Sequence, residues 1–139
     1  MTIEEQIMST EYKGSCLCGQ VRYSVAGPIE DVSHCHCSMC RKAHGAAFAT
    51  YANVPAAAHR FVQGGERLRV FNSSGHTERV FCSVCGSPML WRNPVEFPGI
   101  ASFPLGSLDT PFRPPVERHI FVGSKAVWHQ IGDAWPQSQ

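Results

Sequence analysis

Residues 34–40 read "HCHCSMC", three cysteines and two histidines within seven positions. Thiolates and imidazoles at that density are ligands for a borderline-soft metal ion, zinc above all. Four further cysteines stand in two pairs, Cys16 and Cys18 in "GSCLCG" and Cys82 and Cys85 in "FCSVCGS". A C-x-x-C turn that follows a strand and is closed by glycine has the shape of a zinc knuckle. The glycine can take the positive φ that lets backbone amides point toward the sulfurs. In extended backbone, residues i and i+2 face the same way, so the C-x-C pair can meet one ion as well. Together the two pairs make a four-cysteine set, Cys16, Cys18, Cys82 and Cys85, for a tetrahedral structural zinc. The alternative for Cys82 and Cys85 is a redox pair, but no alternation of strand and helix surrounds them.

The remaining three, Cys35, Cys37 and Cys40, form C-x-C-x-x-C in a tight loop that can bring all the sulfurs to one ion. Three protein ligands, with the fourth place left to water or substrate, is the pattern of a catalytic zinc. Two closings stay open on the residues alone: that free fourth place, or His34, His36 or His44 as a fourth ligand. His36 points the other way if both of its cysteine neighbours face inward. A cluster shared by all seven thiolates is the other partition, although iron–sulfur clusters take four cysteines each. Arg41 and Lys42 follow Cys40, and His44 lies one helical turn on. Arg41 is the candidate for a substrate carboxylate, because its planar fork matches one bidentately. His44 is the candidate for a polar contact beside the ligand. His59, His76, His119 and His129 receive no role.

These residues need turns held between strands, and strand signals dominate the chain. "QVRYSV", "AAFATYANV", "HRFVQ", "LRVFNS", "TERVFC", "PMLWR", "IASFPL" and "RHIFVG" are short, rich in β-branched and aromatic residues, and punctuated by Gly, Pro and Asn. One short helix is predicted over "SMCRKAHGAA", with Ser38 as N-cap and Gly45 ending it, and a weaker, frayed one over residues 2–8. Trp128, Ile131 and Trp135 stand at near-helical spacing, as in a tail packed on the core. The reading is an all-β domain over residues 12–136, with an N-terminal extension 1–11 and a tail 137–139.

The length of 139 residues fits one domain with a real core. With 12 basic residues against 11 acidic, there is no electrostatic footprint for nucleic acid or an anionic membrane. No apolar run approaches the ~20 residues of a membrane span, and the start has neither the basic nor the apolar part of a secretory signal. A cytoplasmic protein is expected, where thiols stay reduced and seven cysteines point to metal rather than disulfides.

The motifs "GSCLCG.VRY", "CHCSMCRK..GAAF", "FCSVCGS" and "IFVGSKAVWHQI.D..P" resemble those of the glutathione-dependent formaldehyde-activating family, from about Gly14 to Pro136. That resemblance implies an Mss4-like fold of short antiparallel sheets and two zinc ions per chain. It implies a structural ion on Cys16, Cys18, Cys82 and Cys85 and a catalytic one on Cys35, Cys37 and Cys40. The implied reaction adds glutathione, or a similar small thiol, to formaldehyde or a related small aldehyde, giving S-(hydroxymethyl)glutathione; the class is carbon–sulfur lyase. His44 stands where the family often carries Thr or Ser. The rival reading is a zinc- or thiol-binding module without turnover, or an interaction protein of the zinc-ribbon kind.

Overall fold

The computed structural model describes residues 2–5 and 10–139. Residues 3–5 are helical, and the rest of the predicted N-terminal helix, 6–8, lies outside the described residues. The chain is all-β. A three-stranded antiparallel sheet has the order β1 (Glu11–Ser15), β2 (Arg22–Ala26), β5 (His59–Gln63). A seven-stranded sheet runs β10 (Glu117–Ile120), β3 (Asp31–Cys35), β4 (Ala49–Pro55), β9 (Ile100–Pro104), β8 (Pro88–Arg92), β7 (Thr77–Cys82), β6 (Leu68–Ser74). The expected antiparallel pairing holds except that β10 lies parallel to β3, Glu117 beside Val32 through Ile120 beside Cys35. The eighty-odd residues between those strands form the rest of the sheet, so the returning chain can enter in either direction.

The seven-stranded sheet uses its two faces differently, and the period of two sorts its residues. Val32, Ala52, Val54, Val80, Ala101 and Phe103 join Tyr23 and Val25 of the smaller sheet, and Val21 just before β2, in one apolar core. Their alternate neighbours, Ser33, Asn53, Arg79 and Ser102, line a cavity instead. Asn53 ties that second face together: its Nδ2 donates to Ser33 Oγ at 3.2 Å, and its Oδ1 accepts from Ser102 Oγ at 2.6 Å. Phe103 is fully buried in the core. Phe103→Ala should destabilise the domain by about 3–5 kcal/mol and lower the Tm by roughly 10–20 °C. A shift of under ~3 °C in a thermal melt would contradict this packing.

An α-helix, α1 (Ser38–His44), interrupts the strands between β3 and β4. Its N-cap is Cys37 rather than the predicted Ser38. The Cys37 backbone is extended, and its sulfur accepts the Cys40 N–H at 3.3 Å. Sulfur can take the capping role that a hydroxyl oxygen usually fills. Gly45 ends the helix as predicted, with φ 58°, and its N–H donates to the Arg41 carbonyl. The tail expected to pack on the core through Trp128, Ile131 and Trp135 forms no helix and leaves Trp128 outside. Gly132 and Pro136 interrupt it, and Trp128 is 72% exposed.

Candidate metal centres

Two groups of sulfurs meet in the fold. Cys16, Cys18, Cys82 and Cys85 lie with all four sulfurs within 4.8 Å of one another. Two of the separations are 3.5 Å, Cys16 to Cys18, and 3.9 Å, Cys18 to Cys82. A tetrahedron of sulfurs 2.3 Å from a zinc ion has edges of about 3.8 Å, so the donor set fits such an ion. The first pair reaches this arrangement by a turn, not by the extended backbone expected: Gly19 N–H donates to the Cys16 carbonyl at 3.0 Å. The second pair sits on the turn leaving β7, where Gly86, at φ 78°, donates its N–H to the Cys82 carbonyl at 2.8 Å. Ser87 links the two turns, its Oγ accepting from Leu17 N–H at 3.0 Å and lying 3.1 Å from Cys85 Sγ. That hydrogen bond holds the Cys85 thiol below the usual range, at about 5.

Cys35, Cys37 and Cys40 form the other group, again within 4.8 Å of one another. Each comes from a different kind of position. Cys35 ends β3, Cys37 caps α1, and Cys40 is the buried residue of that helix. The stretch is therefore a strand–cap–helix junction rather than one tight loop. Hydrogen bonds from Cys35 and then Cys40 pull the Cys37 thiol well below the usual range. The same bond to Cys37 pushes Cys35 up. Three sulfurs so placed can hold an ion and leave it a free position.

That group opens on a cavity of about 380 Å³. Its floor carries Ser33, Asn53 and Ser102, and its rim carries Trp91, Phe97 and Phe121. Phe121 has φ 55° and is half-exposed, an uncommon conformation for so bulky a residue. Arg79 is the cation among the described residues lining the cavity. Its Nη2 lies 3.6 Å from Cys40 Sγ, Nη1 donates to Tyr51 Oη at 3.3 Å, and Nε donates to Ser73 Oγ at 3.1 Å. Burial pushes Tyr51 up and His44 down, so one keeps its proton and the other stays neutral. Tyr51 Oη and His44 Nε2 lie 3.1 Å apart, within hydrogen-bond reach.

The chain matches the family of the glutathione-dependent formaldehyde-activating enzyme over residues 11–124. It belongs to that family. A Halomonas elongata protein, named "Putative glutathione-dependent formaldehyde-activating enzyme", is 34% identical over 128 residues, covering 86% of this chain and 80% of its own. An uncharacterized lyase of Schizosaccharomyces pombe is 29% identical over 79 residues, and the match spans 57% of this chain and 56% of the yeast protein. The crystal structure of a Rhodobacter sphaeroides protein superposes with a TM-score of 0.60 at 27% identity, covering 72% of this chain and 90% of that one.

Within this formaldehyde-activating-family fold the sequence-named residues divide. All seven cysteines fall into the two expected groups. His34 and His36 turn away from the sulfurs: His34 lies 2.8 Å from both Thr50 Oγ1 and Glu117 Oε1, and His36 lies 2.8 Å from His119. His44 reaches Tyr51 but does not line the three-cysteine cavity. Arg41 does not line it either, and its Nε is buried without a partner among the described residues. Arg79 holds the position beside Cys40 that Arg41 was expected to take. Its sequence signal is faint: an arginine two residues from Thr77 on the same strand face, in a strand leading to the C-x-x-C turn.

Among the described residues no helix is long and apolar enough to cross a membrane.

Proposed function

We propose that this protein is a zinc-dependent enzyme of the carbon–sulfur lyase class. It joins a small thiol, glutathione or one like it, to formaldehyde or a related small aldehyde, giving S-(hydroxymethyl)glutathione in the first case. The observation that carries the reading is the opening of the three-cysteine group onto a cavity that also presents Arg79. Zinc held by Cys35, Cys37 and Cys40 would stabilise the substrate thiol as its anion at neutral pH. Cys16, Cys18, Cys82 and Cys85 would hold a second, structural zinc.

The chain's own residues supply binding and orientation. Arg79 offers a guanidinium to a substrate carboxylate, with N–H groups left over after its bonds to Tyr51 and Ser73. Asn53, Ser33 and Ser102 give a polar floor for amide groups. Trp91, Phe97 and Phe121 cover the mouth and reduce the water that competes for the aldehyde. The reaction itself is an addition. The sulfur's electron pair forms the S–C bond, the carbonyl π pair moves to oxygen, and that oxygen takes the proton the thiol gave up. Formaldehyde is small and electrophilic, so holding the thiol in place is most of the task.

The direct test is exchange between formaldehyde and S-(hydroxymethyl)glutathione, followed by NMR with and without protein. Exchange faster than the spontaneous rate supports the enzyme. Binding of glutathione with no acceleration would instead support a thiol-binding module.

Arg79 gives a sharper prediction. A shielded guanidinium–carboxylate contact contributes on the order of 1.5–3 kcal/mol. Arg79→Ala should therefore weaken glutathione binding roughly ten- to a hundredfold, at about 1.4 kcal/mol per decade. Binding of 2-mercaptoethanol, which has no carboxylate, should change much less. Arg79→Lys should recover little, because a point charge lacks the fork. Arg41→Ala, outside the cavity, should leave glutathione affinity within about twofold in calorimetry; a larger loss there than for Arg79→Ala would move the carboxylate contact back to Arg41.

A further inference from the structure

Next to the three-cysteine group runs a chain of polar groups that the proposed chemistry does not use, and none of its members lines the cavity. It starts at His36, which sits between Cys35 and Cys37 and is fully buried. The His36 N–H donates to the Ile120 carbonyl at 3.0 Å, and its ring Nε2 lies 2.8 Å from His119 Nδ1. His119 is also buried, and its Nε2 lies 3.0 and 3.2 Å from the two carboxylate oxygens of Asp133. A second bond fixes that carboxylate, since Asp133 Oδ1 accepts the Trp135 N–H at 3.0 Å. The hydrogen bond from His119 holds the Asp133 carboxyl below the usual range. An ionised carboxylate only accepts, so His119 carries its hydrogen on Nε2 and its ring plane is set from the C-terminal segment.

The packing leaves these rings little freedom. Phe48 lies 5.0 Å from the His36 ring and 6.0 Å from the His119 ring, and His34 lies 4.8 Å from His119. His34 is itself fixed by Thr50 and Glu117. The other ring nitrogen of His36, Nδ1, is buried and has no partner among the described residues. An unpartnered buried nitrogen costs free energy. The ring is thus held for its bond to His119 and not for its own satisfaction. The backbone that carries it is the link between two sulfurs.

We propose that Asp133 and His119 are positioning residues for the three-cysteine group. Acting through the His36 ring, they fix the backbone between Cys35 and Cys37 and so set how tightly, and in what geometry, the three sulfurs hold an ion. The proposal rests on reading that group as a metal site. It gives the segment after β10 a task in the site although it contributes no ligand.

Cobalt(II) tests it, since thiolate-bound cobalt reports its own geometry in its absorption bands. Asp133→Ala removes the anchor at a half-exposed position, and Asp133→Asn keeps an acceptor for the Trp135 N–H while removing the charge. Groups that orient metal ligands from outside typically change affinity ten- to a hundredfold. Asp133→Ala should weaken cobalt and zinc at the three-cysteine group by about that factor in chelator competition. The cobalt bands should shift, the four-cysteine site should keep its affinity, and Asp133→Asn should fall between the two proteins. Unmoved bands and unchanged affinity would overturn the proposal, even with a lowered Tm. Equal weakening of both sites would overturn it too, since that is what a merely structural role gives. A parent protein that binds one cobalt only would overturn the site reading and the proposal together, whereas two cobalts with unaffected variants overturns the proposal alone.

Discussion

Cys82→Ser is expected to yield a protein that is unfolded or aggregated at room temperature. Cys82 is fully buried and belongs at once to the apolar core and to the four-sulfur group. That group binds the turn between β1 and β2, in the smaller sheet, to the turn leaving β7, in the larger one. Cys18 and Cys82 are 64 residues apart in sequence, so the closure is long-range. A structural zinc site of this kind contributes an apparent ~10–16 kcal/mol, which is as large as the ~5–15 kcal/mol by which a domain of this size is stable. Losing one thiolate removes much of that and leaves the other three sulfurs, of which Cys16 is the buried one, without a full partner set. Removal of metal by a strong chelator should unfold the parent protein for the same reason. Circular dichroism and size-exclusion chromatography read both results. A soluble Cys82→Ser protein with the parent's zinc content and melting curve would contradict the assignment of these four cysteines.

Cys37→Ser is expected to do the opposite: keep the fold and lose the function. Serine is a favoured N-cap, so its hydroxyl can accept the Cys40 N–H that the sulfur accepts now. The helix start is preserved while the thiolate is lost. The variant should melt within a few degrees of the parent, carry one zinc fewer per chain, and exchange formaldehyde with glutathione at the spontaneous rate. Cys35→Ser and Cys40→Ser should lose the same ion, with a larger stability cost because both sulfurs are buried. Full activity and two zincs in all three variants would rule out the three-cysteine group as the site.

The contrast between these two outcomes was partly legible in the sequence. Cysteine spacing alone sorts the seven thiols into units of two, three and two, because C-x-C and C-x-x-C are short-range geometry, whereas the meeting of the two pairs is a contact made across 64 residues by the fold. Eight of the ten strands were also legible, since each is a run of β-branched and aromatic residues between Gly, Pro or Asn. The two missed strands carry weak patterns. β1, "EYKGS", includes Gly14, whose bare Cα lets the Tyr23 ring pack against it. β3, "DVSHC", has Val32 as its one aliphatic residue and ends in a sulfur of the site. The turn at Cys16–Gly19 was read as extended because a two-residue spacing fits both geometries, and only the Gly19 bond to the Cys16 carbonyl decides.

What the sequence hid are contacts between distant strands. Arg41 adjoins Cys40 in the chain, yet the helix carries it out of the cavity. Arg79 lies 39 residues away and reaches Cys40 because the strand order places β7 across the cavity from α1. The His36–His119–Asp133 chain depends likewise on the parallel return of β10 beside β3, a pairing that no local pattern announces. The C-terminal residues then pair along β10, with Ser138 N–H donating to the His119 carbonyl at 3.0 Å.

The most direct test of the two-site arrangement is metal content per chain with a thiol titrated in. Cobalt-substituted protein should contain two ions per chain. Glutathione should shift the bands of one of them saturably, while S-methylglutathione, with its sulfur blocked, should leave both unchanged. A protein with a single ion, or with two whose bands ignore glutathione, would contradict the claim that Cys35, Cys37 and Cys40 present a metal to a substrate thiol.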